Sequence, residues 1–174
     1  MFTEKLICAL DSISQKKILL KGEFLLREGQ IESNTYFIKS GALRVFLLSE
    51  FEELTIRFGY DGSFITSLSS FIKGTPSEFY MEAIRKTTLQ VIPKANLLQL
   101  VNEDQESLKQ YIALLESLIT QQIEREIDLL TVSPSERLRR VIERSPNLFQ
   151  QIPLKYIASY LRMTPETLSR IRNS

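Results

Sequence analysis

From Asp104 to Thr131 the chain carries neither glycine nor proline, and Leu108, Ile112, Leu115, Ile119, Ile123, Ile127 and Leu130 recur at steps of four and three. That spacing places them on one face of an α-helix and leaves Glu, Gln and Lys on the other. The run is about 25 residues long, against a mean helix of about 11–12, so it predicts a rod whose apolar stripe needs a cover. Packing against the chain's own body is one cover. Steps of four and three also suit a two-stranded seam with a second copy, which is the favoured reading; the two can operate along one rod. The expected dimer interface is Leu108, Ile112, Leu115, Ile119, Ile123 and Ile127.

Ahead of the rod the texture differs. A short helix is expected over about Glu4 to Ser14. From Ile18 to Pro93 the runs FLLREG, TYFIKSG, LRVFLL, ELTIRFGYDG, EFYMEAI and TLQVIP are separated by Gly22, Gly29, Gly41, Gly59, Asp61-Gly62 and Gly74-Thr75-Pro76. Short strands at intervals of roughly 8–12 residues with glycine turns predict an antiparallel sandwich or barrel. SFITSLSSFIKG reads as a short helix crossing the barrel mouth.

Behind the rod, Thr131-Val132-Ser133-Pro134 breaks the pattern. Ser133 can accept from the backbone near Glu136, and proline fits the first helical position, so a new helix begins at this joint. SERLRRVIE forms that helix and Ser145-Pro146-Asn147 ends it. In the segment Ile152–Ser174, Leu154, Ile157, Ala158 and Leu161 form one stripe, with Ala158 small where a second helix crosses. Thr164 then caps a last helix opened by Pro165, with Glu166 in its first turn, where the helix dipole favours a carboxylate. Leu168 and Ile171 face inward. The outward set is Glu166, Thr167, Ser169, Arg170 and Arg172, with Thr164 at the start: a helix-turn-helix offering partners for guanine, cytosine and phosphate.

Charge supports that division. Residues 134–174 hold eight Lys/Arg against three Asp/Glu, a net of +5, while residues 1–133 hold fourteen against eighteen, a net of −4. A basic tail on a mildly acidic body points to a polyanion partner for the tail, double-stranded DNA. Cys8 is alone and histidine is absent. An intrachain disulfide, a cysteine-held iron–sulfur cluster, a His-ligated haem or zinc and a Ser-His or Cys-His pair are thereby excluded. The acidic pairs Glu52-Glu53 and Glu124/Asp128 read as opposite strand faces and a solvated helix face. No catalytic residue, metal or cofactor is expected, nor a membrane span or signal peptide, and a cytoplasmic protein follows.

The whole chain resembles the Crp/Fnr family of bacterial transcription regulators. The likeness rests on KGEFLLREG (21–29), TYFIKSGALRVF (35–46), GYDGSF (59–64), VIPK (91–94), ERLRRVI (136–142) and IPLKYIASYLRMTPETLSRI (152–171). It implies an α+β fold: an antiparallel β-roll of the jelly-roll (double-stranded β-helix) kind, a long dimerisation helix and a small all-α helix-turn-helix domain. The divisions would be 1–103, 104–132 and 133–174. It further implies a homodimer on a palindromic TTGA-like site, read by Glu166, Ser169 and Arg170, with RNA polymerase among the partners.

Three departures bound the resemblance. Where the family's cyclic-nucleotide cassette has Gly-Glu-Leu and Arg-Ser, this chain has Thr66-Ser67-Leu68 and Ser77-Glu78. Losing the phosphate-binding arginine removes a charge-assisted contact and Glu78 adds repulsion, so no cAMP binding is expected. A pocket of Phe64, Thr66, Ser67, Ser77, Glu78 and Tyr80 would suit a neutral or cationic small-molecule effector. The lone cysteine and missing histidine argue against the family's cluster- and haem-based sensing. Finally, no strand pair follows Ile171, so a domain lacking the family's wing is expected, and Arg162 takes a turn position usually given to glycine, at about 1 kcal/mol. The alternative is an effector-sensing or protein-docking β-roll with weak or no DNA binding.

Overall fold

The computed structural model describes residues 12–50 and 52–173. Cys8 and most of the helix expected over 4–14 lie outside the described residues. Along the chain run β1 (Gln15–Leu19), β2 (Phe24–Leu26), β3 (Asn34–Ser40), β4 (Ala42–Leu48), β5 (Glu53–Tyr60), β6 (Phe64–Ile65), α1 (Leu68–Lys73), β7 (Tyr80–Ala83) and β8 (Thr87–Pro93). There follow α2 (Lys94–Val101), α3 (Gln105–Leu130), α4 (Pro134–Arg144), α5 (Leu148–Gln151), α6 (Leu154–Tyr160) and α7 (Pro165–Arg172).

The strands pair antiparallel into two four-stranded sheets, β1-β8-β3-β6 and β2-β7-β4-β5. Consecutive strands mostly alternate between sheets, as a roll requires. Leu19, Tyr36, Ile38, Leu43, Val45, Met81 and Leu89 fill the space between the sheets. Strand β4 is buried on both faces, because Ala42 on its other side belongs to the cluster under the C-terminal helices. That is why the run ALRVFLL is apolar nearly throughout rather than alternating. Arg44 within it is only 5% exposed; its guanidinium meets Glu82 at 2.5 Å and Glu53 at 2.6 Å and lies over the Phe46 ring. A buried cation persists where its donors are paired.

Three features depart from the sequence reading. Strand β1, QKKIL, lacks apolar alternation and gives no strand signal of its own; it exists because β8 offers it five consecutive register partners, from Gln15↔Val91 to Leu19↔Thr87. The segment SFITSLSSFIKG is not all helix: Phe64 and Ile65 pair with Phe37 and Tyr36, and the helix is confined to Leu68–Lys73. Gly59, expected as a turn, lies inside β5, where a Cβ would come within 2.7 Å of Ile38 Cδ1 and 2.9 Å of Ile65 Cδ1. It is a close approach of backbone to core, not a bend.

The 26-residue α3 begins at Asp104, whose side chain accepts from the Ser107 amide at 2.7 Å. Its apolar face splits. Tyr111, Leu114, Leu115 and Leu118 turn toward the roll, so half-buried Leu115, expected in the outer stripe, departs from it, while Leu108, Ile112, Ile119, Ile123 and Ile127 are 42–59% exposed. Ser133 accepts from the Glu136 amide at 3.4 Å, with Pro134 opening α4. No helix among the described residues is long and apolar enough to cross a membrane.

Gly41 joins β3 to β4 at φ 103°, and a Cβ there would meet Lys86 O and Thr87 Cα at 2.5 Å. Gly41→Ala should therefore destabilise by about 2–4 kcal/mol, combining left-handed strain with overpacking against backbone. Urea denaturation of wild type and variant measures it; a loss below about 1 kcal/mol would contradict this account of the turn.

Candidate nucleic-acid interface

Helix α6 buries Ile157, Ala158 and Leu161 against α4 and α7, and Leu168 of α7 is wholly buried in the same cluster. Helix α6 ends in a Schellman arrangement: the Met163 amide donates to Ala158 O at 3.1 Å and the Arg162 amide to Ser159 O at 3.1 Å. Arg162 takes φ 56° there, the left-handed position expected for it. Thr164 then caps α7, its hydroxyl oxygen accepting from the Thr167 amide at 3.2 Å.

These constraints decide which side chains of α7 face out. Glu166, Arg170 and Arg172 are exposed along with Thr164, while Thr167 and Ser169 are half-buried. Its own backbone N–H and the Thr164 side chain hold the Glu166 carboxyl below its ordinary range, so it is an anion and an acceptor at neutral pH. Arg172 leans over the Phe149 ring, 5.7 Å from its centre. The outward set is thus one acceptor and two forked cations on one short helix.

Sequence reasoning missed what holds this unit in place. Glu124 and Asp128 do not form a solvated face. Asp128 has no exposed surface, and its carboxylate takes Arg140 Nε at 3.1 Å and Arg144 Nη2, while Glu124 takes Arg140 at 2.9 Å and Arg144 at 3.3 Å. Arg137 adds a second tie. Its guanidinium donates to Thr131 O at the joint and to Leu161 O at 2.5 Å in the turn before α7. The signal available was three arginines at 137, 140 and 144, an i, i+3, i+7 face of α4 directed at the rod.

The roll also touches the helix-turn-helix. The Thr55 amide donates to Ser159 Oγ at 3.1 Å, and that hydroxyl donates to Glu53 O at 2.9 Å. Arg85 donates to Gln151, Phe58 packs on Tyr160 at 5.3 Å, and Arg162 approaches Glu52 at 3.9 Å.

The six residues expected to form an effector pocket do not surround one cavity. Ser67 and Ser77 are buried and share a hydrogen bond of 2.8 Å between their hydroxyls. Glu78 is exposed and Tyr80 stacks on Phe46 at 5.2 Å. Phe64 and Thr66 line a space of about 30 Å³ walled by Leu68, Phe71, Leu97 and Leu118. Beneath α1 the Ser70 hydroxyl oxygen accepts from the amide of buried Glu32, whose carboxyl burial pushes up in pKa. The serines satisfy each other, and the acid held there disfavours an anion. Among the described residues no three His, Cys, Asp or Glu side chains group as a metal site.

The sequence pattern of the cyclic nucleotide-binding domain matches residues 16–104, and the chain belongs to that family. Over its length it shares the fold of solved Crp/Fnr-type proteins. FixK2 from Bradyrhizobium japonicum superposes with a TM-score of 0.78 at 20% identity, covering 92% of this chain and 83% of that one. A CooA mutant from Carboxydothermus hydrogenoformans gives 0.73 at 18%, covering 93% and 76%. The catabolite activator protein of Thermus thermophilus gives 0.61 at 22%, covering 99% and 83%. No curated protein sequence matches the chain.

Asp128→Asn should lower stability by about 2–4 kcal/mol. Removing one partner of a buried pair costs about 3–5 kcal/mol, and the two arginine side chains here, a quarter exposed, recover some hydration. Denaturant titration measures the change, and an effect below about 1 kcal/mol would show that the α3–α4 joint does not depend on this carboxylate.

Proposed function

We propose that the chain is a homodimeric, sequence-specific DNA-binding transcription regulator of the Crp/Fnr type and not an enzyme. The observation that carries this is the pairing of two surfaces: α7 exposes Glu166, Arg170 and Arg172, and α3 leaves an apolar stripe uncovered. A second copy packed on Leu108, Ile112, Ile119, Ile123 and Ile127, with half-buried Leu115 at its edge, would cover the stripe and supply a second α7. Two copies set about 34–36 Å apart would meet successive major grooves on one side of a duplex. In this reading residues 1–103 are the sensor, 104–132 the dimer rod and 133–174 the reader.

Within the reader, Arg170 can clamp O6 and N7 of guanine and Glu166 can accept from the N4 amino group of cytosine. Thr164, Thr167, Ser169 and Arg172 can reach phosphate or base edges, and the half-sites in this reading are TTGA-like. The paired serines in the roll and the acid beneath α1 support regulation by something other than cAMP. Contact with RNA polymerase belongs to the same reading, through a surface separate from α7.

Selection of bound fragments from random duplex should yield a palindrome. Arg170→Ala should weaken binding to it by about 10–100-fold, the worth of one bidentate base contact, with each phosphate contact adding about 0.9 to the log–log salt slope. No duplex binding by wild type at low salt would overturn the proposal.

Sedimentation should show a dimer. Ile119→Glu and Ile123→Glu should each convert it to a monomer that has lost the palindrome, because a carboxylate would enter the seam. A wild-type chain monomeric at tens of micromolar would overturn the dimer.

A further inference from the structure

A cavity of about 430 Å³ lies where roll, rod and reader meet, walled by Arg57 and Phe58 of β5, Gln121 and Arg125 of α3, Arg144 of α4 and Tyr160 of α6. It is far larger than the space beside Phe64 and Thr66, and its size falls in the range of small-molecule sites, about 300–1,000 Å³. Among the described residues, three arginines line it and no carboxylate does.

The arginines differ in what they already hold. Arg144 is paired with Glu124 and Asp128. Arg125 is 7% exposed; its guanidinium lies 3.7 Å from the centre of the Tyr160 ring, which satisfies its face but not its edge, and its Nη1 makes no hydrogen bond. Asp128, the acid whose charge acts on Arg125, is hydrogen-bonded to Arg140 and Arg144. No carboxylate among the described residues is within ion-pair distance of Arg57, and burial lowers its affinity for the proton, as it does for Arg125. Of the three arginines that line the cavity only Arg144 is held in an ion pair, so Arg57 and Arg125 face it with no carboxylate in salt-bridge contact among the described residues. A buried guanidinium with an unmet N–H edge is costly unless an anion meets it.

We propose that this interdomain cavity binds a small organic phosphate monoester, its dianionic head clasped by Arg57 and Arg125. A monoester carries about −1.5 to −2 charges at neutral pH, which matches these two arginines, and forked guanidiniums suit its oxygens. The walls extend well beyond one phosphate group. Ile56, Phe58, Leu114, Leu118 and Tyr160 offer an apolar seat, with Gln121 and Gln122 at the polar end, for the organic portion. Because the walls come from three regions of the chain, the occupant joins them; that it would thereby set the placement of α7 on DNA rests on the reading above, whereas the binding itself does not.

Phenyl phosphate is a suitable probe, with inorganic phosphate and phenol as its two halves, titrated calorimetrically into the full chain without DNA. Phenyl phosphate should bind more tightly than either half. Arg57→Gln and Arg125→Gln should each weaken it about 10–100-fold, the worth of charge-assisted hydrogen bonds, while Arg57→Lys retains some of the affinity. Thermal melts of the same variants confirm that each still folds, and Arg57→Gln, at the half-buried end, decides the matter should Arg125→Gln fail to fold. No saturable heat from phenyl phosphate at millimolar concentration and low salt, or undiminished binding by folded Arg57→Gln, would overturn the site. Failure of DNA binding with phosphate binding intact would strike only the functional reading.

Discussion

Asp128 is the acid on which the arrangement of the C-terminal half turns. It has no exposed surface, and its two oxygens answer two different arginines one helical step apart on α4. A carboxylate so far from water is tolerable only with both neighbours in place, and each guanidinium is oriented by it in turn. Without that mutual requirement α4 would be held to the rod by residues 131–133, the exposed side of Glu124 and the Arg137 contact to Thr131 O. With it, the angle between α3 and α4 is a property of charge geometry, and Arg137, reaching from Thr131 O to Leu161 O, carries the same constraint into the turn ahead of α7.

The distribution of cations then has a pattern. Arg137, Arg140 and Arg144 are consumed in fixing the C-terminal helices, Arg44 in filling the doubly buried strand β4, and Arg170 and Arg172 are exposed on α7. Arg57 and Arg125 fit none of these uses. The net positive charge of residues 134–174 is therefore not a uniform basic coat; of its eight cations Arg137, Arg139, Arg140, Arg144 and Arg162 are engaged internally, along α4 or with the roll.

Much of this was legible in the residues because it is local. The stripe on α3, the Ser133-Pro134 start, the Thr164-Pro165 start and the left-handed Arg162 each follow from neighbours within a few positions. The pairing of β1 with β8 was not, since QKKIL joins the sheet through a partner some seventy residues away rather than through its own pattern. The burial of Asp128 was hidden for a related reason: an acidic i, i+4 pair on a polar face looks solvated until another helix crosses it. The spread of the expected effector-pocket residues was hidden on the same ground, because residues adjacent in a motif diverge once Ser67 and Ser77 turn inward and Glu78 turns out. The cavity at Arg57 and Arg125 joins four separate elements and has no signature along the chain.

The hydroxyl bridge between Ser67 and Ser77 has an energetic corollary for the roll. A polar guest inserted there must first separate a pair of sheltered oxygens, and each left unanswered costs about 1–3 kcal/mol. Unless it replaces both contacts with comparable geometry, such a guest begins at a disadvantage of one to several powers of ten in affinity. Neither serine lies in a strand, so the bridge fastens the entry of α1 to the loop ahead of β7, two stretches ten residues apart that no backbone ladder joins.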